Sequence, residues 1–166
     1  LDNGVLFYIL CSHYLCVVFY DYDDYSVLID KECESYEFDN TGISIKINLN
    51  DNQGRIYHCH LTFDEKEYIA DSEKFEYSNF HTPHEKLLGY DFLQALIAED
   101  YDYCDNLLSP KCSQSIEDLA KLLENADDII LPNCPLKDNC VYVISQDKTT
   151  KCHFSVSCGK IEKVFF

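Results

Sequence analysis

The chain of 166 residues is 46% hydrophobic and 14% aromatic, and its formal net charge is −17 at pH 7. This apolar content argues against a disordered polymer, and the acidity disfavours nucleic acid as a partner because phosphates would be repelled. The length suits one ordinary hydrophobic core. We therefore expect a single globular domain over residues 1–166 with an acidic surface.

The first half of the chain has the pattern of β-strands. Apolar runs at 5–11, 16–20 and 26–30 indicate short strands, and a further strand is expected at 66–70 or 74–77. Between them, apolar and polar residues alternate on both sides of a turn over residues 51–54, which predicts a hairpin. Eight of its residues should share one buried face: Ile43, Ile45, Ile47, Leu49, Tyr57, Cys59, Leu61 and Phe63.

Two helices are expected next in the chain. Residues 82–85 form a capping box with proline at the first helical position, and a second helix should begin near Ser115 and end near Ala126. Strands then return at 140–145, 151–158 and 161–166. Segregated strands and helices predict an α+β fold, mainly antiparallel β-sheet with two α-helices in the middle-to-C-terminal part.

The ten cysteines indicate a disulfide-stabilised fold in an oxidising compartment. Their number is even, and no CxxC pair of the kind that grips structural zinc occurs. Spacing alone leaves the connectivity open. The expected disulfide cysteines are Cys11, Cys16, Cys33, Cys59, Cys104, Cys112, Cys134, Cys140, Cys152 and Cys158.

Export is also indicated at the beginning of the chain. The sequence starts at Leu1 and contains no methionine, as expected for a chain from which a signal peptide has been removed. The apolar stretch over residues 5–20 is too short to cross a bilayer and contains a histidine and two cysteines. We therefore expect a secreted, extracellular protein without a membrane span.

Two segments rich in tyrosine and aspartate are the preferred recognition sites. Tyrosine offers rigid contact area, and carboxylates attract a basic partner. Solvated acidic loops would show the same composition. The candidate binding residues are Tyr20, Asp21, Tyr22, Asp23, Asp24 and Tyr25 in the first segment, and Asp100, Tyr101, Asp102 and Tyr103 in the second.

Histidines supply an alternative site. His58 and His60 should lie on the same face of a strand because side chains alternate, and this spacing can hold a metal or line a cleft. His81 and His84 are the candidates for completing such a metal or acid–base centre. The competing interpretation is that the first pair is exposed to solvent on the hairpin and that the second pair belongs to a helix start.

The sequence contains no motif specific enough to name a reaction, and its motifs assign it to no known family. We therefore expect a secreted, non-enzymatic binding or effector protein that engages a basic extracellular or host protein or peptide through its acidic tyrosine-rich surface. No cofactor and no nucleic-acid partner are expected. The alternative is a small secreted hydrolase or metal-binding protein built on the histidines. The oligomeric state is left open.

Overall fold

The fold divides into two compact units. A computed structural model describes residues 5–21, 24–64, 67–121, 123, 126, 128–131, 139–146 and 148–166. Contacts between Cα atoms separate an N-terminal unit, Leu1–Phe80, from a C-terminal unit, His81–Phe166. Folding of the chain as one domain stays a prediction.

The N-terminal unit consists of two antiparallel sheets. The first has the order β1-β2-β3 and the second the order β4-β5-β6-β7. Their strands are β1 (Val5–Cys11), β2 (Tyr14–Asp21), β3 (Asp24–Glu32), β4 (Ser35–Phe38), β5 (Gly42–Asn48), β6 (Arg55–Asp64) and β7 (Glu67–Tyr77).

The C-terminal unit combines short helices with a four-stranded antiparallel sheet of order β11-β10-β9-β8. A 3₁₀ turn over Glu85–Leu87 leads into the first helix. The elements are α1 (Leu88–Ile97), α2 (Tyr101–Leu107), α3 (Ile116–Lys121), β8 (Asp128–Ile130), β9 (Cys140–Ile144), β10 (Thr149–Ser157) and β11 (Lys160–Phe165). The prediction of a mainly antiparallel β-protein with few helices is confirmed.

The core of the N-terminal unit contains residues of both sheets. The pairing of β5 with β6 confirms the predicted hairpin. The register pairs Ile43 with Leu61 and Ile45 with Cys59, as the alternation requires. Leu49, which was expected on the buried face, lies past the end of β5 and is exposed. The buried cluster comprises Leu15, Val17, Ile29, Cys33, Ile43 and Ile45.

A buried ion pair lies at the turn between β5 and β6. The Arg55 side chain is completely buried, and its guanidinium pairs with the Asp51 carboxylate. The second oxygen of Asp51 accepts a hydrogen bond from the Arg55 backbone N–H at 3.0 Å. The guanidinium also lies 5.8 Å from the ring centroid of Tyr77. These contacts connect the turn to β7.

In the C-terminal unit, helix α1 packs on the sheet through Phe92. This ring is fully buried and lies edge-on to the Phe154 ring of β10, with 6.3 Å between the centroids. Gly89, one turn earlier, lies against the Phe154 ring so closely that a Cβ at this position would clash with it. The small residue is therefore needed for the close approach of α1 to β10.

Several predicted boundaries differ from the structure. The 66–70 and 74–77 alternatives both fall in one long strand, β7, while β4, α2 and β8 were not expected. The first helix begins later than its capping box suggested, because His84 caps the 3₁₀ turn by accepting a hydrogen bond from the Lys86 N–H at 3.2 Å. The second predicted helix starts as expected, with Ser115 Oγ accepting from the Asp118 N–H at 3.1 Å.

The expected disulfides are not supported. Cys134 lies outside the described residues, and no disulfide joins any two of the nine described cysteines: Cys11, Cys16, Cys33, Cys59, Cys104, Cys112, Cys140, Cys152 and Cys158. For the cysteines in paired strands, register accounts for this, because a cross-strand disulfide needs two Cβ atoms that point to the same face as well as Cα atoms less than about 7 Å apart. In the paired strands that the structure describes, no cysteine lies directly opposite another: Cys11 faces Tyr14, Cys16 faces Ile9 and Asp30, Cys59 faces Ile45 and Glu73, Cys140 faces His153, and Cys152 faces Val141.

The buried thiols behave as small apolar core groups. Burial raises the pKa values of Cys33 and Cys59, and it raises the pKa of Cys152 to about 11. These sulfurs therefore stay protonated and poorly nucleophilic at neutral pH. Cys158 was expected on the buried face of its strand, but it is exposed in the turn between β10 and β11 with a positive φ of 51°.

Candidate functional site

The described residues of the first tyrosine–aspartate segment lie at the end of β2 and the start of β3. Tyr20 and Tyr25 lie directly opposite each other at the end of the hairpin, and Tyr25 is 68% exposed. Asp24 accepts a hydrogen bond from the Tyr25 N–H at 2.8 Å. Tyr22 and Asp23 lie outside the described residues, as does the side chain of Asp21. The described tyrosines are accessible, and their role in binding stays a prediction.

In the second tyrosine–aspartate segment, two of the four candidate residues are buried and two are accessible to solvent. Asp100 is the N-cap of α2, where its carboxylate accepts a hydrogen bond from the Tyr103 N–H at 3.3 Å. Asp100 is 3% exposed and Tyr103 is 6% exposed, so neither offers surface to a partner. Tyr101 and Asp102, in the first turn of the helix, are exposed. The accessible part of this segment is therefore narrower than expected.

Tyr101 lines a groove of about 580 Å³ in the C-terminal unit. We call it the Tyr101 groove. Leu108, Pro110 and Ile116 supply apolar contact area, and α2, the following loop and the start of α3 form the walls. The lining residues are Tyr101, Asp105, Leu108, Ser109, Pro110, Cys112, Gln114, Ser115, Ile116 and Glu117. The volume is within the range of ordinary ligand pockets.

The charge of the Tyr101 groove is negative. Asp105 and Glu117 line it, and among the residues that the structure describes its lining includes no lysine or arginine. Burial, followed by the nearby Glu99, raises the pKa of the Tyr101 hydroxyl. An adjoining groove of about 510 Å³ shares Tyr101 and Glu117 and also includes Lys121. The Tyr101 ring thus lies between two shallow grooves. In the larger one, the Tyr101 groove, both charged residues of the described lining are acidic.

His60 lies between two carboxylates on the polar face of the second sheet. Its Nδ1 is 2.8 Å from Asp71 Oδ1, and its Nε2 is 3.2 Å from Asp39 Oδ2. The contact with Asp71 raises the pKa of His60. Hydrogen bonds from Thr41 and Gly42 lower the pKa of Asp39. A protonated imidazole can donate to both carboxylates at once, so this arrangement favours the charged form.

The same residues do not form a hydrolase-type nucleophile. Thr41 Oγ1 lies 3.3 Å from His60 Nε2, and Asp71 holds the other ring nitrogen, which together approach a nucleophile–base–acid arrangement. However, the Thr41 hydroxyl donates its single proton to Asp39 Oδ1 at 2.6 Å, and it is therefore not directed at the imidazole. The geometry supports a turn-stabilising role for Thr41.

His58 lies on the same face as His60, as predicted. The two residues pair with Lys46 and Ser44 of β5, respectively. His58 Nε2 is 3.1 Å from Glu76 Oε2, an ion-pair distance without hydrogen-bond alignment. Neither imidazole is freely solvated, since their side chains are 26% and 17% exposed. This corrects the expectation of two solvent-exposed histidines.

The metal-site alternative receives no support from these positions. His84 caps a 3₁₀ turn, and His81 lies just before it in the other unit from His58 and His60. Over the described part of the chain, His, Cys, Asp and Glu side chains form no group of three that could hold a metal ion. The imidazoles of His58 and His60 are engaged with carboxylates instead.

We expect His60 to make the stability of the N-terminal unit depend on pH. Because its folded pKa is raised above the ordinary 6.5, its contribution is fully present below about pH 6.5 and is lost as the pH rises through the folded value. Asp39, with its lowered pKa, remains ionised over this window. Replacing His60 with glutamine should therefore lower the Tm most at acidic pH.

The measurement is thermal unfolding of both proteins between about pH 5 and about pH 8.5, the range in which histidine titrates. The Tm difference should shrink steadily toward the alkaline end. A difference that is constant over this range would contradict the charge-based role of His60. His153→Gln is a suitable control, because the ion pairs between histidine and carboxylate in the described residues involve His58 and His60 but not His153.

Arg55, the only arginine, is unavailable for recognising phosphate because it is completely buried with Asp51. In addition, no helix in the described residues is long and apolar enough to cross a membrane. Comparisons with known protein families, with curated proteins and with solved structures find no match. The functional assignment therefore depends on the chemistry of the surfaces described above.

Proposed function

We propose that the chain is a non-enzymatic binding protein of the secreted effector type, and that the Tyr101 groove accepts an extended segment of a basic extracellular or host protein. The observation that carries the proposal is the position of Tyr101, an exposed aromatic ring inside a concave surface that Asp105 and Glu117 make acidic. A lysine or arginine next to an aliphatic residue fits this surface.

Each part of that partner has a counterpart in the groove. A cation over the Tyr101 ring gains about 0.5–2 kcal/mol, and the carboxylates add attraction that depends on salt. The aliphatic neighbour would cover Leu108, Pro110 and Ile116, which are arranged around the same depression. The net charge of −17 would attract a basic partner from beyond contact range.

Fluorescence anisotropy with defined peptides tests the proposal. The probe is a fluorescein-labelled decapeptide of alternating lysine and leucine, and its control has glutamine in place of every lysine. We expect saturable binding of the basic peptide only, weakening as salt rises from about 50 to about 500 mM because screening shortens the range of the attraction. Equal binding of both peptides, or binding of neither, overturns the proposal.

Substitutions locate the binding surface. Replacing Tyr101 with alanine should weaken binding of the basic peptide about tenfold or more, whereas phenylalanine at this position should preserve it because the ring is kept. Replacing Glu117 with glutamine should weaken binding and reduce its salt dependence. The matched control is Tyr25→Ala, which removes an exposed tyrosine of the other segment. Loss with Tyr25→Ala but not with Tyr101→Ala would overturn the assignment to the groove.

Secretion remains part of the proposal and is supported by the cysteine-rich composition. The lack of a disulfide among the nine described cysteines does not add to that support. A titration of free thiols on protein purified from its native compartment checks it, because a chain with all its cysteines paired in an oxidising environment would show none. A full set of free thiols would contradict secretion into such a compartment.

A further inference from the structure

The outer edge of β1 differs from the other sheet edges. Among the strands that the structure describes, β4 and β8 are edges of only four and three residues. β3 and β7 carry several carboxylates and join their neighbours through irregular register, and β11 carries Lys160 and Lys163. Short length, charge and bulges are the features that keep sheet edges from pairing with other chains. β1 has none of them.

The β1 strand is instead regular, apolar and accessible. It pairs with β2 from Val5 to Cys11 without a register shift, none of its seven residues is charged, and all are apolar except Tyr8, whose hydroxyl lies 3.2 Å from the Tyr68 hydroxyl. On the side away from the core, Phe7 and Ile9 are each 54% exposed. Even the side chains that alternate toward the core, such as Leu10, are about half exposed. A long strand of this kind presents unpaired backbone groups together with apolar surface.

We propose that β1 is a self-association edge, and that two copies of the chain pair antiparallel through it about a two-fold axis. A register centred on Tyr8 places Phe7 opposite Ile9 and Val5 opposite Cys11 of the second copy. The two residues of each pair lie on the same face of β1, because side chains alternate along a strand and both numbers are odd. The faces of β1 that point toward the core therefore lie on the same side of the joined sheet in both copies. The two three-stranded sheets would then form one continuous six-stranded sheet.

Charge identifies a second copy as the occupant. Residues 3–20 contain no Asp, Glu, Lys or Arg, although the chain as a whole carries a net charge of −17. Two such acidic chains repel each other where their charged surfaces approach. At the β1 edge this repulsion is absent, because the strand carries no charged side chain. Two-fold pairing also consumes both edges, so association stops at the dimer. Because one strand pair buries less than the roughly 800 Å² per partner of a standard interface, the expected affinity is micromolar.

Sedimentation velocity over about 1 µM to about 1 mM, a range that brackets micromolar affinities, tests the proposal on the full chain. We expect a monomer–dimer equilibrium. Ile9→Lys should raise the dissociation constant at least about tenfold, because each copy would place a charge on the opposing edge. The control is Ile130→Lys on edge strand β8, where the isoleucine is similarly exposed at 45%. A monomer at every concentration, or equal effects of both substitutions, overturns the proposal.

A cross-linking experiment tests the register independently of affinity. Val5→Cys would place a thiol opposite Cys11 of the second copy, whereas Val5 and Cys11 of one chain are about 20 Å apart along the strand. Mild oxidation should therefore produce covalent dimers, and adding Cys11→Ser should abolish them. No covalent dimer, or one that persists without Cys11, contradicts this pairing. These results do not involve the Tyr101 groove, so this proposal and the proposed function can fail separately.

Discussion

Replacing Asp51 with asparagine is expected to lower the free energy of unfolding by about 3–5 kcal/mol. The substitution is nearly isosteric, so it changes the charge far more than the packing. Arg55 is completely buried, and its guanidinium forms an ion pair with the Asp51 carboxylate. A buried cation that loses this compensation costs much more than an exposed one, because water cannot solvate it.

Chemical denaturation of the variant and the parent chain measures this effect. The matched control is Glu34→Gln, which removes an exposed ion pair with Lys46 at 3.1 Å and should cost less than about 1 kcal/mol. Adding Arg55→Met to the Asp51 variant should recover part of the loss, since the uncompensated charge is then removed as well. Equal losses for the Asp51 and Glu34 variants would contradict the assigned role of the buried pair.

Replacing Phe92 with alanine should have an effect of similar size, about 3–5 kcal/mol, in the C-terminal unit. The ring is fully buried and packs edge-on against Phe154, so the substitution leaves a cavity and removes an aromatic pair. Phe166→Ala is the matched control, because that ring is 47% exposed and its loss should cost no more than about 0.5 kcal/mol. If Phe166→Ala lowered the free energy of unfolding as much as Phe92→Ala, burial of the ring would not explain the expected loss at Phe92.

The two destabilised variants also test the expectation of a single domain. Asp51 lies in the N-terminal unit and Phe92 in the C-terminal unit. If the chain unfolds as one cooperative domain, each substitution lowers the same calorimetric transition, and the calorimetric and van't Hoff enthalpies agree. Two transitions, each shifted by only one of the substitutions, would show that the units unfold independently.

Local pattern was sufficient for several elements. Alternation over β5 and β6 determined the hairpin register, and with it the common face of His58 and His60, because side-chain direction in a strand has a period of two. The apolar runs likewise predicted β1, β9, β10 and β11 within a few residues. Ser115 predicted the start of α3, since an N-cap hydrogen bond is formed within four residues of sequence.

The second tyrosine–aspartate segment shows where local pattern stopped being informative. Asp100 and Tyr101 have the composition of one acidic patch, yet the start of α2 buries Asp100 as a cap and leaves Tyr101 accessible. Glu117 reaches the same groove from α3, a separate element. The packing of α2, the following loop and α3 determines which tyrosine lies in a concave surface. The residue pattern within either tyrosine–aspartate segment does not predict this packing.

The sequence by itself determined the β-rich class, the hairpin, the strong acidity and the charge-free stretch from residue 3 to 20, because these follow from composition and short-range periodicity. Only the tertiary structure decided that β1 is an edge strand, that cysteines do not oppose each other across strands, and that Arg55 is buried with Asp51. Strand order and register depend on pairing between distant segments. The number of cysteines follows from the sequence, but the distances between their sulfur atoms depend on how the strands pair.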